Sequence, residues 1–405
     1  MPDFLKLRED FPMLKQKMHG NPLIYFDSAA TAQKPQAVID AITQFYKNQY
    51  GTVHRAVYQL AQISTQHYQT VRDKIRKFIN AKKSEEIIYT RGTTESINMV
   101  AYSFGKCFIQ RGDEVIISEM EHHSNIVPWQ MMCKDHEAIL KVIPVNDRGE
   151  LRLDVYRNLL SEKTKLVAIG HVSNVLGTLN PVKEMIALAH QLNARVLIDG
   201  AQAAPHLPVD VQELDADFYA FSGHKILGPT GIGILYGKEF LLEKMPPYQG
   251  GGDMVSNVAF EKTTYNKPPL KFEAGTPMIA EVFGLGAAID YLTSVGLVNI
   301  YKREQELLNY ATGRLKEIKN LRIVGEAAHK GAIISLIVEG VHPLDIGTLL
   351  DLRGIAVRTG HHCAQPLMRR FNLSGTLRLS FGLYNTEKEI DLFMHALQEV
   401  LQQLR

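Results

Sequence analysis

The chain has 405 residues, with 45 lysines and arginines against 43 aspartates and glutamates, so its formal net charge is +2. Because no block of like charge stands out, neither nucleic acid nor an anionic membrane is expected as a partner. Residues 1–20 carry charges throughout and lack the apolar core of a signal peptide, and no apolar run approaches the length of a membrane-spanning helix. The three cysteines are an odd, sparse set, which argues against a disulfide scaffold and predicts a cytoplasmic protein.

A chain of this length is too long for one simple core and short for three domains. We expect an N-terminal arm at 1–20 that joins the smaller domain, a large domain at 21–285 and a small C-terminal domain at 286–405.

In chain order, the sequence predicts a short helical arm, a strand at 23–26 and helices at 36–48 and 64–79. From residue 86, strands rich in Val and Ile alternate with helices. Strands are expected at 87–89, 115–118, 140–145, 166–169, 196–199 and 218–221. This alternation predicts an α/β fold with a mainly parallel sheet that helices cover on both faces.

The alternation fades after residue 236, and the Gly- and Pro-rich stretch 248–277 is expected to form long loops. One helical stretch at 281–319 then leads to a second, α+β domain. Its predicted elements are a strand at 333–338, a helix at 343–352, a strand at 377–381 and a final amphipathic helix at 387–404.

Polar side chains follow several strands of the predicted parallel sheet, and ligands bind at that end of such sheets. The residues in this position are Thr94, His122, Asn174, Asp199 and Lys225. An acid at one strand end and a lysine at the next are the pair that pyridoxal phosphate requires, since the lysine holds the aldehyde and the acid holds the pyridinium nitrogen. For Lys225 alone, a solvated loop lysine is the plainer interpretation.

The segment Arg91-Gly92-Thr93-Thr94-Glu95 lies where a strand turns into a helix. Free N–H groups and threonine hydroxyls at a helix start favour a phosphate, although a plain helix cap is the alternative. Ser222 and His224 are also phosphate donors or turn caps.

His122 is a candidate to stack on a flat cofactor ring and to move protons, whereas its neighbour His123 lacks the spacing of a metal ligand, so no metal is expected. Gln202 and Asn174 are candidates to bond a ring hydroxyl.

Cys363 lies in the sequence Arg358-Thr359-Gly360-His361-His362-Cys363-Ala364-Gln365-Pro366, which suggests an exposed loop. Nearby Arg and His side chains favour the reactive thiolate form of a cysteine. A structural cysteine would more usually be buried in apolar sequence, and Cys107 and Cys133 differ from Cys363 because their surroundings are predicted to be helical. Arg358 and Arg378 are candidates for a bidentate grip on a carboxylate, with surface ion pairs as the alternative.

Six motifs in one order resemble the class V aminotransferase-like cysteine desulfurases, and the SufS group in particular, from about Leu23 to the end. They are RGTTE at 91–95, EHHSN at 121–125, HVSNVLGT at 171–178, DGAQ at 199–202, SGHK at 222–225 and RTGHHCAQP at 358–366. The resemblance implies a fold-type-I, pyridoxal-phosphate-dependent homodimer with a large domain and a smaller C-terminal one.

The resemblance also implies a role for each candidate. The catalytic residues are Lys225, Cys363 and His122; the cofactor is held by Lys225, Asp199, Gln202, His122, Asn174, Thr93, Thr94, Ser222 and His224, with Thr276 reaching the phosphate of the partner subunit; the substrate is held by Arg378, Arg358, Asn174 and His54. L-cysteine then gives L-alanine and a persulfide on Cys363.

Further expectations are a SufE- or SufU-like acceptor protein, iron–sulfur cluster assembly and activity on L-selenocysteine. Two other interpretations stay open on the residues alone. One is an aminotransferase or lyase for which Cys363 is incidental, and the other is a pyridoxal-phosphate-binding scaffold without turnover.

Overall fold

The computed structural model describes residues 2–404, which form two sheets of different construction and three short strand pairs. The strands are β1 (Lys17–Met18), β2 (Asn21–Pro22), β3 (Ile24–Tyr25), β4 (Ile87–Thr90), β5 (Glu114–Ser118), β6 (Ile139–Ile143), β7 (Thr164–Gly170), β8 (Arg195–Asp199), β9 (Phe218–Ser222), β10 (Gly233–Gly237), β11 (Val255–Val258), β12 (Thr263–Tyr265), β13 (Leu321–Val324), β14 (Ile333–Val338), β15 (Ile355–Ala356), β16 (Arg358–Gly360) and β17 (Thr376–Ser380).

The α-helices alternate with these strands in the first two thirds of the chain. They are α1 (Phe4–Arg8), α2 (Gln36–Gln44), α3 (Gln59–Phe78), α4 (Thr93–Phe108), α5 (Val127–His136), α6 (Leu153–Leu159), α7 (Val182–His190), α8 (Val211–Leu214), α9 (Glu239–Lys244), α10 (Ile279–Val295), α11 (Leu297–Leu315), α12 (Pro343–Asp351), α13 (Gln365–Arg370) and α14 (Glu387–Gln403).

The large sheet has seven strands in the order β4-β10-β9-β8-β7-β5-β6. Strands β6, β5, β7, β8 and β9 pair in parallel, and β10 runs antiparallel to both β9 and β4. Most of these strands are continuous apolar runs buried on both faces, as sheets covered by helices require. The predicted α/β fold with a mainly parallel sheet is therefore confirmed.

The second sheet is antiparallel, in the order β13-β14-β17-β16, and it shares an apolar core with α11, α12 and α14. Close to it, β3 pairs in parallel with β15, so residues near the start of the chain join elements near its end. Arg8 of the N-terminal arm makes an ion pair with Glu389 of α14 at 2.8 Å. The domain boundaries given above stay a prediction.

Three segments differ from the sequence-based expectation. The helical stretch at 281–319 is two helices, α10 and α11, which break at Gly296 because this glycine takes the left-handed conformation, with φ +84°. Residues 248–277 are not all loop, since β11 and β12 form a hairpin there. Helix α2 ends at Gln44 and continues as one π-helical turn over Phe45–Gln49.

Within residues 2–404, no single helix combines the length and the apolar character that crossing a membrane needs. The pair α10 and α11 meets that test only jointly, and the two helices bend by 74° at their junction. Helix α10 is largely buried in the core of the large sheet's domain.

Candidate active site

The ends of strands β4, β5, β7, β8 and β9 surround a cavity of about 260 Å³. Most of the predicted site residues line it: Thr93, Thr94, His122, Asn174, Asp199, Gln202, Ser222, His224, Lys225, Arg358, Cys363 and Arg378. The structure thus brings together side chains that lie as far apart in sequence as Thr93 and Arg378.

Lys225 closes a single 3₁₀ turn, Gly223–Lys225, directly after β9. Glycine is required at the start of the turn, because a Cβ on Gly223 would lie 2.7 Å from Ile232 Cγ2 and 3.0 Å from the Ile232 carbonyl oxygen. Desolvation lowers the pKa of Lys225 to about 8, against the opposing attraction of Asp199. An amine with this pKa is available in neutral form close to physiological pH, as carbonyl chemistry needs.

Asp199 ends β8 and is buried, and one of its oxygens, Oδ1, accepts a hydrogen bond from the backbone N–H of Ala201 at 2.9 Å. Burial raises the pKa of this carboxyl group, while the Ala201 N–H and Lys225 act to lower it. Besides the Ala201 N–H, this buried carboxyl group can therefore bond a second donor, such as a protonated ring nitrogen. The next residue must be glycine, since a Cβ on Gly200 would lie 2.0 Å from the Tyr219 ring.

Gln202 lies one turn beyond Asp199, and its side chain is only half satisfied. Its Nε2 donates to the Ala29 carbonyl oxygen at 2.7 Å. Its Oε1 is buried and has no hydrogen-bond partner among the residues that the structure describes. Because buried acceptors are rarely left without a partner, this oxygen is available to a ligand in the cavity.

His122 precedes the 3₁₀ turn His123–Asn125 and caps it, with Nδ1 accepting from the Ser124 N–H at 3.1 Å. Desolvation and the positive charge of Lys225 lower the pKa of His122 to about 4. The ring is therefore neutral at pH 7, which suits stacking on a flat cofactor and the transfer of a proton.

The start of α4 forms the other end of the cavity. Its N-cap, Gly92, has no side chain to bond the helix, while Glu95 Oε2 accepts from the Arg91 N–H at 2.6 Å, as a capping glutamate does. Ser222, the last residue of β9, joins this strand to the start of α4. Its hydroxyl oxygen accepts from the Thr93 N–H at 2.9 Å and bonds the Thr93 hydroxyl at 2.7 Å. The helix start and its hydroxyls form a site of the kind that binds phosphate.

A carboxylate that the sequence analysis did not select joins both predicted substrate arginines. Asp27 accepts from Arg378 Nη2 at 3.0 Å and from Arg358 Nη2 at 2.7 Å. Arg378 is 2% exposed, donates through Nη1 to the Asn174 carbonyl oxygen, and keeps an Nε without a partner within residues 2–404. The neighbouring sequence, a strand end at Asp27-Ser28, gave no sign of this role because the partners are more than 300 residues away.

Cys363 lies on the loop between β16 and α13, and its side chain is exposed, as predicted, whereas Cys107 lies in α4 and Cys133 in α5. Both His362 and Cys363 take left-handed backbone conformations, with φ of 51° and 55°. Asn174 Nδ2 donates to the His362 carbonyl oxygen at 2.8 Å, which ties this loop to the end of β7.

Two predicted residues lie outside the cavity lining of the single chain. His54 packs its ring against Tyr68, with centroids 5.5 Å apart, and the exposed Thr276 lies on the loop before α10. Their roles stay predictions, as do those of the cavity residues.

The residues present fit pyridoxal phosphate. The buried acid, the lysine with a lowered pKa and the helix start match the ring nitrogen, the aldehyde and the phosphate of that molecule. Gln202 Oε1, which has no partner among the described residues, also fits this molecule, because the ring hydroxyl of the cofactor could donate a hydrogen bond to it. Among residues 2–404 there is no group of three or more His, Cys, Asp or Glu side chains that could hold a metal ion.

Comparison with known proteins decides the family. Residues 24–393 match the family Aminotransferase class-V. The chain belongs to this family. Its cofactor is pyridoxal phosphate, in agreement with the fit of the site.

Relatives in the family are similar over almost the whole chain. The cysteine desulfurase of Escherichia coli O7:K1 (strain IAI39 / ExPEC) is 52% identical over 396 residues, which cover 98% of this chain and 97% of that protein. The probable cysteine desulfurase 1 of Mycobacterium leprae (strain TN) is 51% identical over 98% of this chain. This chain spans 65% of the length of that protein and 64% of the Synechococcus elongatus cysteine desulfurase, to which it is 50% identical.

Solved structures of cysteine desulfurases are similar as well. The cysteine desulfurase CsdA from Escherichia coli, in an S-sulfonic acid form, superimposes with a TM-score of 0.93 at 41% identity, and the match covers 100% of both chains. The apo cysteine desulfurase from Thermococcus onnurineus NA1 gives a TM-score of 0.92 at 37% identity, over 97% of this chain and 98% of that one. The predicted fold class is thereby confirmed at the level of the family.

Proposed function

We propose that this chain is a cysteine desulfurase, which converts L-cysteine to L-alanine and transfers the sulfur to Cys363. The observation that carries the proposal is that an exposed cysteine lines the same cavity as Lys225 and Asp199. An aminotransferase has no need of a cysteine there. The relatives named cysteine desulfurase in Escherichia coli and Mycobacterium leprae support it.

The arginines hold the substrate. Arg378 and Arg358 both line the cavity, and Arg378 Nε has no partner within residues 2–404. A buried guanidinium with a free donor attracts the carboxylate of an amino acid and fixes the direction of its side chain. Asp27 keeps both guanidinium groups in place by bonding them.

Lys225 moves the proton at the substrate Cα. Bound pyridoxal phosphate supplies an electron sink for the charge that this proton leaves behind. A lysine with a pKa of about 8 is partly neutral at working pH and accepts the proton. Asp199 would hold the ring nitrogen, and His122, neutral at pH 7, would stack beside the ring and relay a proton.

Cys363 performs the sulfur transfer. Its sulfur, as thiolate, attacks the substrate Sγ, so that a new S–S bond forms while the substrate C–S bond breaks. The electron pair of the broken bond stays on the substrate carbon, which takes up a proton to become the methyl group of alanine. The products are alanine and a persulfide on Cys363, and no external oxidant or reductant is consumed.

The exposed position of Cys363 suits delivery of this sulfur to an acceptor protein. We assign as acceptor a small SufE- or SufU-like protein and as destination iron–sulfur cluster assembly in the cytoplasm, on the basis of the group that the motifs resemble. L-selenocysteine is a second substrate, because the arginine grip acts on the carboxylate that both amino acids share.

A homodimer is the assembly that we assign. Its first support is that Thr276 and His54 do not line the cavity of their own chain. Its second support is that large apolar side chains near these two residues in the sequence are exposed, with Val57 at 88% and Phe260 at 109%. Analytical ultracentrifugation of the purified protein tests this assignment, and a monomer at micromolar concentration would contradict it.

The test of the activity compares two exposed cysteines. Purified protein that shows a cofactor band near about 420 nm is mixed with L-cysteine and a thiol reductant, and alanine is quantified. Cys363→Ser should abolish alanine formation while the band still responds to L-cysteine, and Cys107→Ser should leave both intact. If Cys363→Ser forms alanine at the wild-type rate, Cys363 is incidental and the protein is another kind of lyase or aminotransferase. A cofactor band without alanine from the wild type would support a binding scaffold.

A further inference from the structure

The loop that carries Cys363 is held by three bonds from the large sheet's domain. One is the Asn174 bond to the His362 carbonyl oxygen described above. The other two come from a single residue, His123. Its backbone N–H donates to the Cys363 carbonyl oxygen at 2.7 Å, and its ring Nε2 accepts from the Gln365 N–H at 3.2 Å. One of these two bonds is made to the sulfur-bearing residue itself and the other to the residue two positions later, while the Asn174 bond holds the residue before it.

The Gln365 N–H needs this outside partner. Gln365 is the first residue of α13, and the N-cap of that helix, Ala364, has no side chain that could bond a free N–H. The first N–H groups of a helix have no acceptor within the helix, so they take one from a cap, from water or from elsewhere in the protein. Here the acceptor is a histidine that lies 242 residues earlier.

The loop conformation also needs support from outside. His362 and Cys363 are successive residues with positive φ, a conformation that side chains other than glycine disfavour. On the second sheet's side, His362 Nε2 bonds the Thr376 hydroxyl at 2.8 Å. Within the loop, the Cys363 N–H donates to His361 Nδ1 at 3.1 Å. The position of Cys363 is therefore fixed mainly by bonds from other elements.

His123 is well placed to act on the loop without touching the cofactor. Its neighbours His122 and Ser124 line the cavity, but His123 does not. Its ring lies 5.7 Å from that of His361, centroid to centroid, on the loop side. The hydrogen bonds of His123 therefore act on the loop, although its ring centroid also lies 6.3 Å from that of His122.

We propose that His123 is a positioning residue that holds Cys363 at the mouth of the cavity through the hydrogen bond that its Nε2 accepts from the Gln365 N–H. This rests on the proposed function for its effect on turnover, but the effect on the loop does not depend on it. The ring must offer an unprotonated Nε2, so the Nδ1 tautomer of the neutral imidazole is the active form.

The first test measures the loop without any substrate. In cofactor-loaded protein, the rate of alkylation of Cys363 by iodoacetamide is followed by peptide mass spectrometry, and the exposed Cys107 serves as the internal control. His123→Ala should change the Cys363 rate by about 2- to 10-fold, the range that corresponds to one lost hydrogen bond, and leave the Cys107 rate unchanged.

A second variant separates positioning from general damage. In His123→Gln the amide oxygen lies about as far from the backbone as Nε2 and can accept from the Gln365 N–H. We expect it to restore the wild-type alkylation rate. Equal rates in wild type and His123→Ala would overturn the proposal, and so would a change in His123→Gln as large as that in His123→Ala.

The third measurement is turnover. In His123→Ala the change of the cofactor band on adding L-cysteine should keep its wild-type amplitude, while alanine formation falls, and His123→Gln should recover it. A band change lost together with alanine would overturn the proposal, because His123 would then act on the cofactor side. If the wild type forms no alanine but the alkylation rates still differ as expected, the proposed function fails and the positioning role of His123 stands.

Discussion

Asp27 Oδ1 and Arg378 Nη2 are joined by a 3.0 Å ion pair that spans 351 residues of sequence. Arg378 is almost fully buried, so its charge depends on this carboxylate for compensation. The same carboxylate bonds Arg358 through two of its nitrogens. One acid thus sets the orientation of both arginines that we assign to the substrate carboxylate.

Replacing this acid should weaken substrate binding. In Asp27→Asn the charge that holds the two guanidinium groups is lost while the size of the side chain is kept, so we expect KM for L-cysteine to rise about 10-fold, or about 1.4 kcal/mol, with a smaller change in kcat. Steady-state alanine formation measures both constants. Asp154→Asn is the matched control, because Asp154 is an exposed carboxylate that pairs with Arg152, and neither residue lines the cavity. A KM equal to that of the wild type would show that Asp27 does not orient the grip.

The pH dependence of turnover should follow Lys225. Burial lowers the pKa of this amine to about 8, and the neutral amine, which can accept the Cα proton, is populated above that value. Activity should therefore rise with pH through an apparent pKa near 8 and fall at lower pH, where the amine is protonated. His122, with a pKa of about 4, stays neutral throughout this range and therefore adds no second inflection to the pH profile of activity. A profile that is flat between about pH 6 and 9 would contradict this assignment of the base.

Gln202 should contribute to cofactor affinity. Its buried Oε1 has no partner among the described residues, and a cofactor hydroxyl would satisfy it. We expect Gln202→Leu to raise the dissociation constant of pyridoxal phosphate about 3- to 10-fold, as measured by titration of apoprotein and by the position of the absorption band. Gln212→Leu is the control, since Gln212 also donates to a backbone carbonyl oxygen but lies on the exposed surface. Equal affinity in both variants would exclude this contact.

Gly233 of β10 lies so close to Gly92, the residue before α4, that we expect no side chain to fit between the two backbones. A Cβ on Gly233 would lie 2.4 Å from Gly92 Cα, at the residue that precedes α4. Gly233→Ala should therefore lower the free energy of unfolding by about 1–3 kcal/mol and weaken cofactor binding, because Gly92 must move.

The control for this steric prediction is Gly313→Ala in α11, where a Cβ would meet nothing within 4 Å. There alanine should stabilise the protein by about 0.5–1 kcal/mol, since glycine is a poor helix former. Thermal unfolding of both variants, with the cofactor titrated separately, gives the comparison. A Gly233→Ala variant as stable as the wild type would show that β10 and the turn before α4 can separate at little cost.

The parallel strands and their polar ends could be predicted from sequence because both signals are local. Apolar runs such as the one that ends at Asp199 indicate buried strands. A lysine that follows such a run closely, as Lys225 does, is therefore predicted to lie at the carboxyl end of the sheet. Asp27 and His123 were missed as functional residues because their partners are long-range: the sequence around each contains no pattern that names Arg378 or Gln365. The break at Gly296 was missed because a glycine within a continuous helical periodicity predicts only a weak point, and the φ of +84° is decided by packing.

The pairing of β3 with β15 has a consequence for how the protein is made. Asp27 lies two residues after β3, and its arginine partners are 331 and 351 residues later, so both ion pairs cannot exist until the ribosome has delivered the segment that carries Arg378. The parallel sheet, with Asp199 and Lys225, is complete long before that point. The residues that fit the cofactor ring, Asp199 and Lys225, thus leave the ribosome before the two arginines that we assign to the substrate carboxylate. Contacts of such long sequence separation also form slowly, so we expect this half of the site to assemble late in folding.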